Sequence, residues 1–487
     1  MLEKEHRPSY LRSFGNRQIE FPSFVGSISR RPELGAYIRT IDLSDDHFLE
    51  WGYENTKELS LHDANTLAKR GVEISQINYS TWFDVLTHET PSANNDIDPP
   101  YVLHDRYMAQ YQQAFIVLLL SYCNCLESLL VHDSLCFYTT RLGSHHAPSA
   151  FGLALTNLSN LKYFKLGCGN WPVESNAGLY YPSALFQRIF TLPKVEELAL
   201  CLHQVSWDEE ENTAEYLEET NTLLSVRKLE FEQCNLTEVA VGSILDKTPR
   251  VTSLVISSLA RDISPTGMGT STWLDCTALA RSIAGKQKVD NTLPEFSRRK
   301  LLEHLSISIT FYSSNSDHAG FSPSIFKLGG AYEHGDFENE DHSVEFGIKG
   351  SFGSMKHFTS LKTLEISPPV LLGWHVKLAR PLAEVLPHSL IKLTLLNEMS
   401  YWKYYHWSFE NLSSLVQAFV KNQNRGSLQV IEYHLFEDVF RRWKTQISEL
   451  KELCSTVGVL FEHVLETRGD DEYDWDNSYD EMPPGDL

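Results

Sequence analysis

The chain has 487 residues, of which 42% are hydrophobic, and its 64 acidic and 42 basic residues give a formal charge of -22. This length exceeds one ordinary compact core, so we expect two or three domains or one elongated repeat array. The acidic balance and the lack of a basic stripe disfavour nucleic acid as a partner, because phosphates are bound by clustered Lys and Arg.

The N-terminus and the cysteines indicate the cellular compartment. The first residues, MLEKEHRPSY, are charged and lack the apolar stretch of a signal peptide. The longest apolar run, residues 114–120, is far too short to span a membrane. Cys123 and Cys125 lie two apart, so they do not form a C-x-x-C metal or redox motif. We expect a cytoplasmic or nuclear protein in a reducing environment, without a membrane partner.

The N-terminal part of the chain is predicted to form a lead-in over residues 1–23 and a helical cap region with a first repeat over residues 24–124. The segment FVGSISRRPELGAYI predicts the first helix, and YIRTIDLSD predicts the first repeat strand. The segment YMAQYQQAFIVLLLSYC is a second helix candidate. The rest of the interval between Ile41 and Leu129 shows no clear repeat.

A pattern of apolar residues, h-x-x-h-x-h, recurs along the chain and is typical of leucine-rich repeats. It is clearest in VRKLEFEQCNL, Val226–Leu236. The middle apolar positions are Ile41, Leu129, Phe164, Leu198, Leu229, Leu254, Leu305, Leu364, Leu393 and Ile431. The alternation h-x-h predicts a short strand with one buried face.

Helical patterns lie between these strands. NLSSLVQAFVKNQNRG has an apolar stripe with helical spacing, and Gly426 is placed to end that helix. NLTEVAVGSILDKTP begins with Asn235 and Glu238 at the spacing of a capping box. The alternation of strand and helix predicts an α/β fold: an irregular leucine-rich-repeat-like solenoid over residues 125–466, with a curved parallel sheet inside and helices outside.

The repeat intervals are irregular and mostly longer than the roughly 20–29 residues of regular leucine-rich repeats. We therefore predict insertions at about 204–222, 261–300 and 311–358, where long loops without periodicity are expected to be disordered or functional. A last helix, Trp443 to Leu453, and the strand GVLFEHVLE would cap the array. Residues 467–487 are predicted to be an acidic disordered tail, or alternatively a docking tail for a basic partner.

Motifs of catalysis and metal binding are not evident. LGCGNWP lacks the third glycine of a dinucleotide loop, and GIKGSFG lacks the Lys-Ser/Thr pair of a phosphate loop. His145 and His146 are adjacent and would point apart on a regular element. We predict no catalytic residues, no metal ligands and no cofactor, and therefore not an enzyme. The alternative is an enzyme whose residues come together from the long loops, above all from 311–358.

The candidate functional residues alternate with the buried positions and would face the concave side of the sheet. Such a face is the usual docking surface of repeat arrays. The predicted partner-binding residues are Lys165, Lys228, Glu230, Glu232, His304, Glu365, Lys392 and Glu432. The alternative for each of them is an ordinary solvated position.

Three segments carry a resemblance to a known family. RRPELGAYIRTIDLSD, LTNLSNLKYFKLG and FTLPKVEELAL resemble the F-box and leucine-rich-repeat proteins of filamentous fungi, over Phe24 to Leu465. The resemblance implies an N-terminal F-box that binds the adaptor of a cullin ubiquitin ligase, and a repeat region that recruits a protein for ubiquitination. It implies no catalytic residues.

The sequence departs from this family in the F-box itself, which usually opens with Leu-Pro-x-Glu-Leu/Ile. Every Leu-Pro pair here lies inside the repeat region, at positions 192–193, 293–294 and 386–387. Either an F-box is missing from this version of the chain, or the protein is a repeat-only relative. The first case predicts the substrate-recognition component of a cullin-type ligase, and the second a stand-alone scaffold or regulatory protein without a ubiquitin link.

Overall fold

The computed structural model describes part of the chain. The described residues are 21–43, 60–75, 77–87, 113–131, 150–167, 188–201, 222–234, 237–260, 274–285, 298–311, 348–398, 407–421 and 426–466. Several predictions lie outside these ranges: most of the lead-in 1–23 and of the three insertions, the pair His145 and His146, and the tail 467–487.

The predicted strands are all present, and they build one large parallel sheet. Together with two further short strands, β7 and β9, the described strands are β1 (Thr40–Leu43), β2 (Ser128–Val131), β3 (Tyr163–Leu166), β4 (Glu197–Cys201), β5 (Lys228–Cys234), β6 (Ser253–Ala260), β7 (Leu274–Asp275), β8 (His304–Phe311), β9 (Ile348–Lys349), β10 (Thr363–Ile366), β11 (Lys392–Leu395), β12 (Val430–Phe436) and β13 (Leu460–Glu466). Eleven of them form a sheet in the order β1-β2-β3-β4-β5-β6-β8-β10-β11-β12-β13, while β7 and β9 pair separately. The α/β class with a parallel sheet is therefore confirmed.

Helices occupy many of the connections between strands. They are α1 (Phe21–Arg30), α2 (Leu61–Ser75), α3 (Tyr79–Leu86), α4 (113–122), α5 (Ala150–Leu155), α6 (Glu238–Lys247), α7 (Cys276–Ala284), α8 (Arg298–Leu301), α9 (Pro368–Leu372), α10 (Leu382–Val385), α11 (Phe409–Lys421) and α12 (Glu437–Thr456), with short 3-10 helices at Pro32–Tyr37 and Val376–Leu378. The chain divides into two compact units. Unit 1 comprises Met1–Trp171, Ala177–Glu232 and Ser243–Val251, and unit 2 comprises Pro172–Asn176, Gln233–Gly242 and Thr252–Leu487.

Unit 1 is organised by two rows of buried apolar side chains that run across its strands. The first row is Ile41, Leu129, Phe164, Leu198 and Leu229, and each residue is in register with the next. The second row is Leu43, Val131, Leu166, Leu200 and Phe231. All ten side chains are buried. Each contributes about 1.5–3 kcal/mol by leaving water, so the h-x-h pattern of the sequence fixes the register of the sheet.

The helices α2 and α3 of unit 1 are joined by a close contact. Trp82 of α3 is fully buried, and its indole Nε1 donates to the Ser75 hydroxyl at 2.9 Å. A Cβ on Gly71 of α2 would lie 2.2 Å from the indole ring. Because Gly71 has no side chain, the helix can approach the indole ring closely. Asn78 caps α3 by accepting from the Thr81 N–H at 2.8 Å.

Unit 2 repeats the same arrangement. Its first buried row is Leu254, Leu305, Leu364, Leu393, Ile431 and Phe461, and its second row is Ile256, Ile307, Ile366, Leu395, Tyr433 and His463. The residues of both rows are buried except His463, which lies on the last strand and stacks on Phe440 of α12 with ring centroids 4.7 Å apart.

The predicted helix end at Gly426 cannot be compared directly, because α11 is described as far as Lys421 and residues 422–425 lie outside the described ranges. Gly426 has a φ of 68° in the turn that precedes β12. One helix prediction differs from the structure. The last helix begins at Glu437, before the predicted start at Trp443, and it is kinked at Trp443, which has non-helical φ and ψ angles.

Parts of two predicted insertions have regular structure in unit 2. The strands β7 and β9 pair in parallel, with Leu274 opposite Ile348, and the Thr277 hydroxyl donates to the Ser351 carbonyl at 3.0 Å. We call this contact the insertion bridge. The end of the 311–358 segment also contributes three buried side chains, those of Phe352, Met355 and Phe358.

Candidate functional site

The candidate site is the face of the sheet opposite the buried rows, which we call the polar face. In β3, for example, Phe164 and Leu166 are buried, whereas Tyr163 and Lys165 lie on the polar face. Strand residues alternate between the two faces. The predicted site residues all occupy polar-face positions, and the structure divides them between the two units.

In unit 1 the four predicted residues form two ion pairs. Lys165 Nζ lies 2.7 Å from Glu232 Oε2, and Lys228 Nζ lies 3.2 Å from Glu230 Oε2. Lys165 belongs to β3 and Glu232 to β5, so the pair spans the intervening strand. The residue of that strand opposite both Lys165 and Glu230 is Ala199, whose short side chain leaves room for the lysine to reach across.

The charges cancel within this cluster of unit 1, because each of its two lysines is paired with one glutamate. The four side chains remain partly exposed, from 20% to 39%. Partly exposed pairs of this kind contribute about 0–1 kcal/mol each to stability. Separating these pairs therefore costs little free energy.

In unit 2 the predicted residues Lys392 and Glu432 form the centre of a second cluster. Lys392 Nζ lies 3.0 Å from Glu432 Oε1, and the Thr394 hydroxyl donates to the same oxygen at 3.2 Å. His434 Nε2 lies 3.7 Å from it. Partial burial opposes ionisation of Glu432, but the hydrogen bond and the charge of Lys392 outweigh it and hold the pKa of the Glu432 carboxyl below its usual value.

The other two predicted residues of unit 2 have different surroundings. The His304 ring contacts the Thr363 hydroxyl through Nδ1, which joins β8 to β10. Glu365 lies between Ser306 and Thr394 in register, and among the described residues it has no cationic partner. Glu462, on the polar face of β13, likewise forms no ion pair in the part of the chain described. Two carboxylates of the polar face of unit 2, Glu365 and Glu462, are therefore not neutralised by any described residue.

Several polar-face residues were not selected by the sequence analysis. They are Thr363, Thr394, His434 and Glu462. The signal that would have found them is the alternation itself. Counting two residues on from each selected position gives Thr394 after Lys392, and His434 after Glu432.

Two kinds of reactive group can be assessed in the described residues: metal-binding clusters and buried thiols. No group of three His, Cys, Asp or Glu side chains among them could hold a metal ion. Burial raises the pKa of Cys123 to about 12 and that of Cys454 to about 11, and burial with the neighbouring Asp275 raises the pKa of Cys276 still further. Thiols with raised pKa values are poor nucleophiles.

The helices in the described ranges include none that combines the length and the apolar character needed to cross a bilayer. Comparison of the sequence with protein-family models and with curated proteins gives no match.

Proposed function

We propose that the chain is a non-catalytic protein-binding module with a leucine-rich-repeat-like solenoid fold, and that it recognises its partner through the polar face. The observation that carries this proposal is the constant register of the strands. In unit 2, Ser306, Glu365, Thr394, Glu432 and Glu462 lie in one row, one residue from each of five strands. A fixed row of polar side chains presents a definite pattern to a protein surface.

The solenoid is supported by the order of the strands. Within the large sheet they follow the order of the chain, and each strand from β1 to β12 in that sheet carries the same h-x-h pattern of buried residues. Repeat arrays are built in this way, because each coil buries its apolar side against the next. The long face that results is the usual binding surface of such arrays.

We further propose that the bound protein is a substrate for ubiquitination and that the chain is the substrate-recognition component of a cullin-type ligase. The support for this part is the resemblance of the repeat region to fungal F-box and leucine-rich-repeat proteins. The experiment is affinity purification of the protein, tagged at its C-terminus at the native locus, with intact mass and co-purifying proteins measured together. Recovery of the cullin adaptor is expected. Its absence alongside a stable protein partner would favour a stand-alone scaffold instead.

The binding surface is tested by exchanging charges in unit 1. The fourfold variant Lys165→Glu, Lys228→Glu, Glu230→Lys and Glu232→Lys keeps both ion pairs but inverts the charge pattern seen by a partner. We expect the amount of co-purified partner to fall about tenfold or more, with an unchanged thermal melt. An undiminished yield would exclude this part of the polar face as the binding surface.

A matched control is available in the same unit. Lys162 Nζ and Glu127 Oε2 form an ion pair of 2.9 Å between the residues that precede β3 and β2. Both side chains are exposed, and neither lies in the strands of the polar face. Exchanging their charges should leave the binding of the partner unchanged.

A further inference from the structure

The last strand of the sheet, β13, has an open edge. It pairs with β12 over seven residues, from Val430 opposite Leu460 to Phe436 opposite Glu466, and no described strand lies on its other side. The Leu460 N–H donates to the Gln429 carbonyl at 2.8 Å. Backbone groups in a parallel ladder alternate in direction from one residue to the next.

This alternation identifies the free hydrogen-bonding groups of the edge. Leu460, Glu462 and Val464 direct their backbone N–H and C=O groups toward β12. The intervening residues Phe461 and His463 direct theirs toward the open edge, and the Leu465 N–H follows the same direction. The edge thus offers a regular series of donors and acceptors to an added strand.

Three common protections of an edge strand, namely Lys, Pro and a bulge, are missing from the described strand β13. Proteins usually block such edges with Lys, Pro or a bulge. The strand sequence LFEHVLE contains neither Lys nor Pro, and its register with β12 is continuous. On the polar face, β13 presents the exposed Glu462 between two apolar side chains. These are Leu460, which is 50% exposed, and Val464, which is 38% exposed.

We propose that the open edge of β13 binds an extended segment of another protein by strand addition, and that the segment alternates apolar and basic residues. The backbone groups would supply affinity, as in other cases of strand addition. A Lys or Arg of the segment on the polar face would pair with Glu462, and the alternating apolar side chains would lie on the other face, beside Phe461 and Leu465. This site is independent of the proposed ligase role, because it requires neither an adaptor nor a substrate for ubiquitination.

Charge distinguishes this occupant from a second copy of the chain. In the symmetric antiparallel arrangement centred on the strand, His463 of one copy would lie opposite His463 of the other and Glu462 opposite Val464, so Glu462 would gain no cationic partner. Each copy also has a formal charge of -22, which repels a second copy. The chain also carries eight acidic residues after Arg468. A basic segment is therefore favoured over a copy of β13.

The test uses the full chain and three labelled heptapeptides, with binding followed by fluorescence anisotropy at physiological salt. The first peptide alternates Lys and Val, the second alternates Glu and Val, and the third is the Lys–Val peptide with alternate backbone nitrogens methylated. Methylation keeps the charge but blocks one hydrogen-bonding edge. We expect the Lys–Val peptide to bind about tenfold or more tightly than either of the others. Equal binding of the methylated peptide would reduce the effect to charge alone and overturn the proposal.

Variants then locate the peptide on β13. Glu462→Lys should weaken binding of the Lys–Val peptide about tenfold, and Leu465→Pro should do so by removing an outward N–H. Glu449→Lys, on an exposed position of α12, changes the net charge equally and should leave binding intact. Equal effects of Glu462→Lys and Glu449→Lys would refute the site.

Hydrogen exchange provides a measurement that does not depend on a variant folding. Bound Lys–Val peptide should slow exchange in the segment that contains β13. Unchanged exchange there with saturating peptide would overturn the proposal. A dimer that forms with rising protein concentration and is abolished by Leu465→Pro, without peptide binding, would likewise overturn it and assign the edge to a second copy of the chain.

Discussion

The assignment of the two faces of the sheet can be tested with adjacent residues of one strand. Leu229 of β5 is fully buried, whereas Glu230 lies on the polar face and pairs with Lys228 at 3.2 Å. Leu229→Ala removes buried methyl groups and leaves a cavity, which costs about 2–5 kcal/mol. Glu230→Ala loses one partly exposed ion pair, which contributes about 0–1 kcal/mol. The first variant should therefore lose at least about 1–2 kcal/mol more stability than the second.

The assay is urea denaturation followed by far-ultraviolet circular dichroism, with hydrogen exchange of the β5 segment as a local measure. We expect a lower midpoint and faster exchange for Leu229→Ala only. Leu229→Asp should be worse still, because it puts an unpaired charge into the buried row. Equal losses for Leu229→Ala and Glu230→Ala, or a larger loss for Glu230→Ala, would refute the face assignment on which the proposed function depends.

Three further predictions concern individual contacts. Gly71→Ala should lower the melting temperature, because the added Cβ would lie 2.2 Å from the Trp82 indole. Such overpacking costs about 1–3 kcal/mol or more, which exceeds the gain in helix propensity of about 1 kcal/mol. A raised melting temperature would contradict the contact. Gly426→Ala should also destabilise, by about 1–3 kcal/mol, since its φ is 68° and the added Cβ would lie 2.5 Å from a backbone oxygen; differential scanning calorimetry measures this loss, and an unchanged melt would argue against the turn. Lys392→Met should raise the pKa of Glu432, as followed by NMR titration of labelled glutamate carboxyls. The pKa of Glu432 in the wild type lies below the ordinary glutamate value of 4.5. The pair therefore stabilises the fold above that pH, and the benefit is lost as the pH falls through the lower, folded-state pKa. An unshifted carboxyl resonance in the variant would contradict the pairing.

The strands were predictable because their signal is strong and local. Two apolar residues separated by one position recur in each strand, and the same residues form the buried rows. The helix α2 was missed for a physical reason. Its buried face contains Leu67 and four small residues, Ala64, Ala68, Gly71 and Ser75. Small residues give little hydrophobic periodicity, although they allow the close approach of Trp82.

The candidate site was predictable in its positions but not in its contacts. Alternation placed Lys165, Glu365 and Glu432 on the polar face. The sequence could not show that Lys165 reaches Glu232 across a strand, because that contact depends on the register of distant repeats and on the short side chain of Ala199. Glu365 and Glu432 occupy equivalent positions in their repeats. Lys392 of the strand between them lies diagonally across from both carboxylates and pairs with Glu432, a choice that the alternation does not encode.

The insertion bridge has a consequence for how the length of this protein can vary. Residue 311 ends β8 and residue 348 begins β9, so both ends of the segment 312–347 are attached to regular structure. The free energy of closing a flexible loop grows only with the logarithm of its length, by about 0.6 kcal/mol for each doubling. Substantial changes in the length of this segment should therefore leave the register of the sheet intact. The bridge makes residues 312–347 a suitable place to insert a small foreign domain.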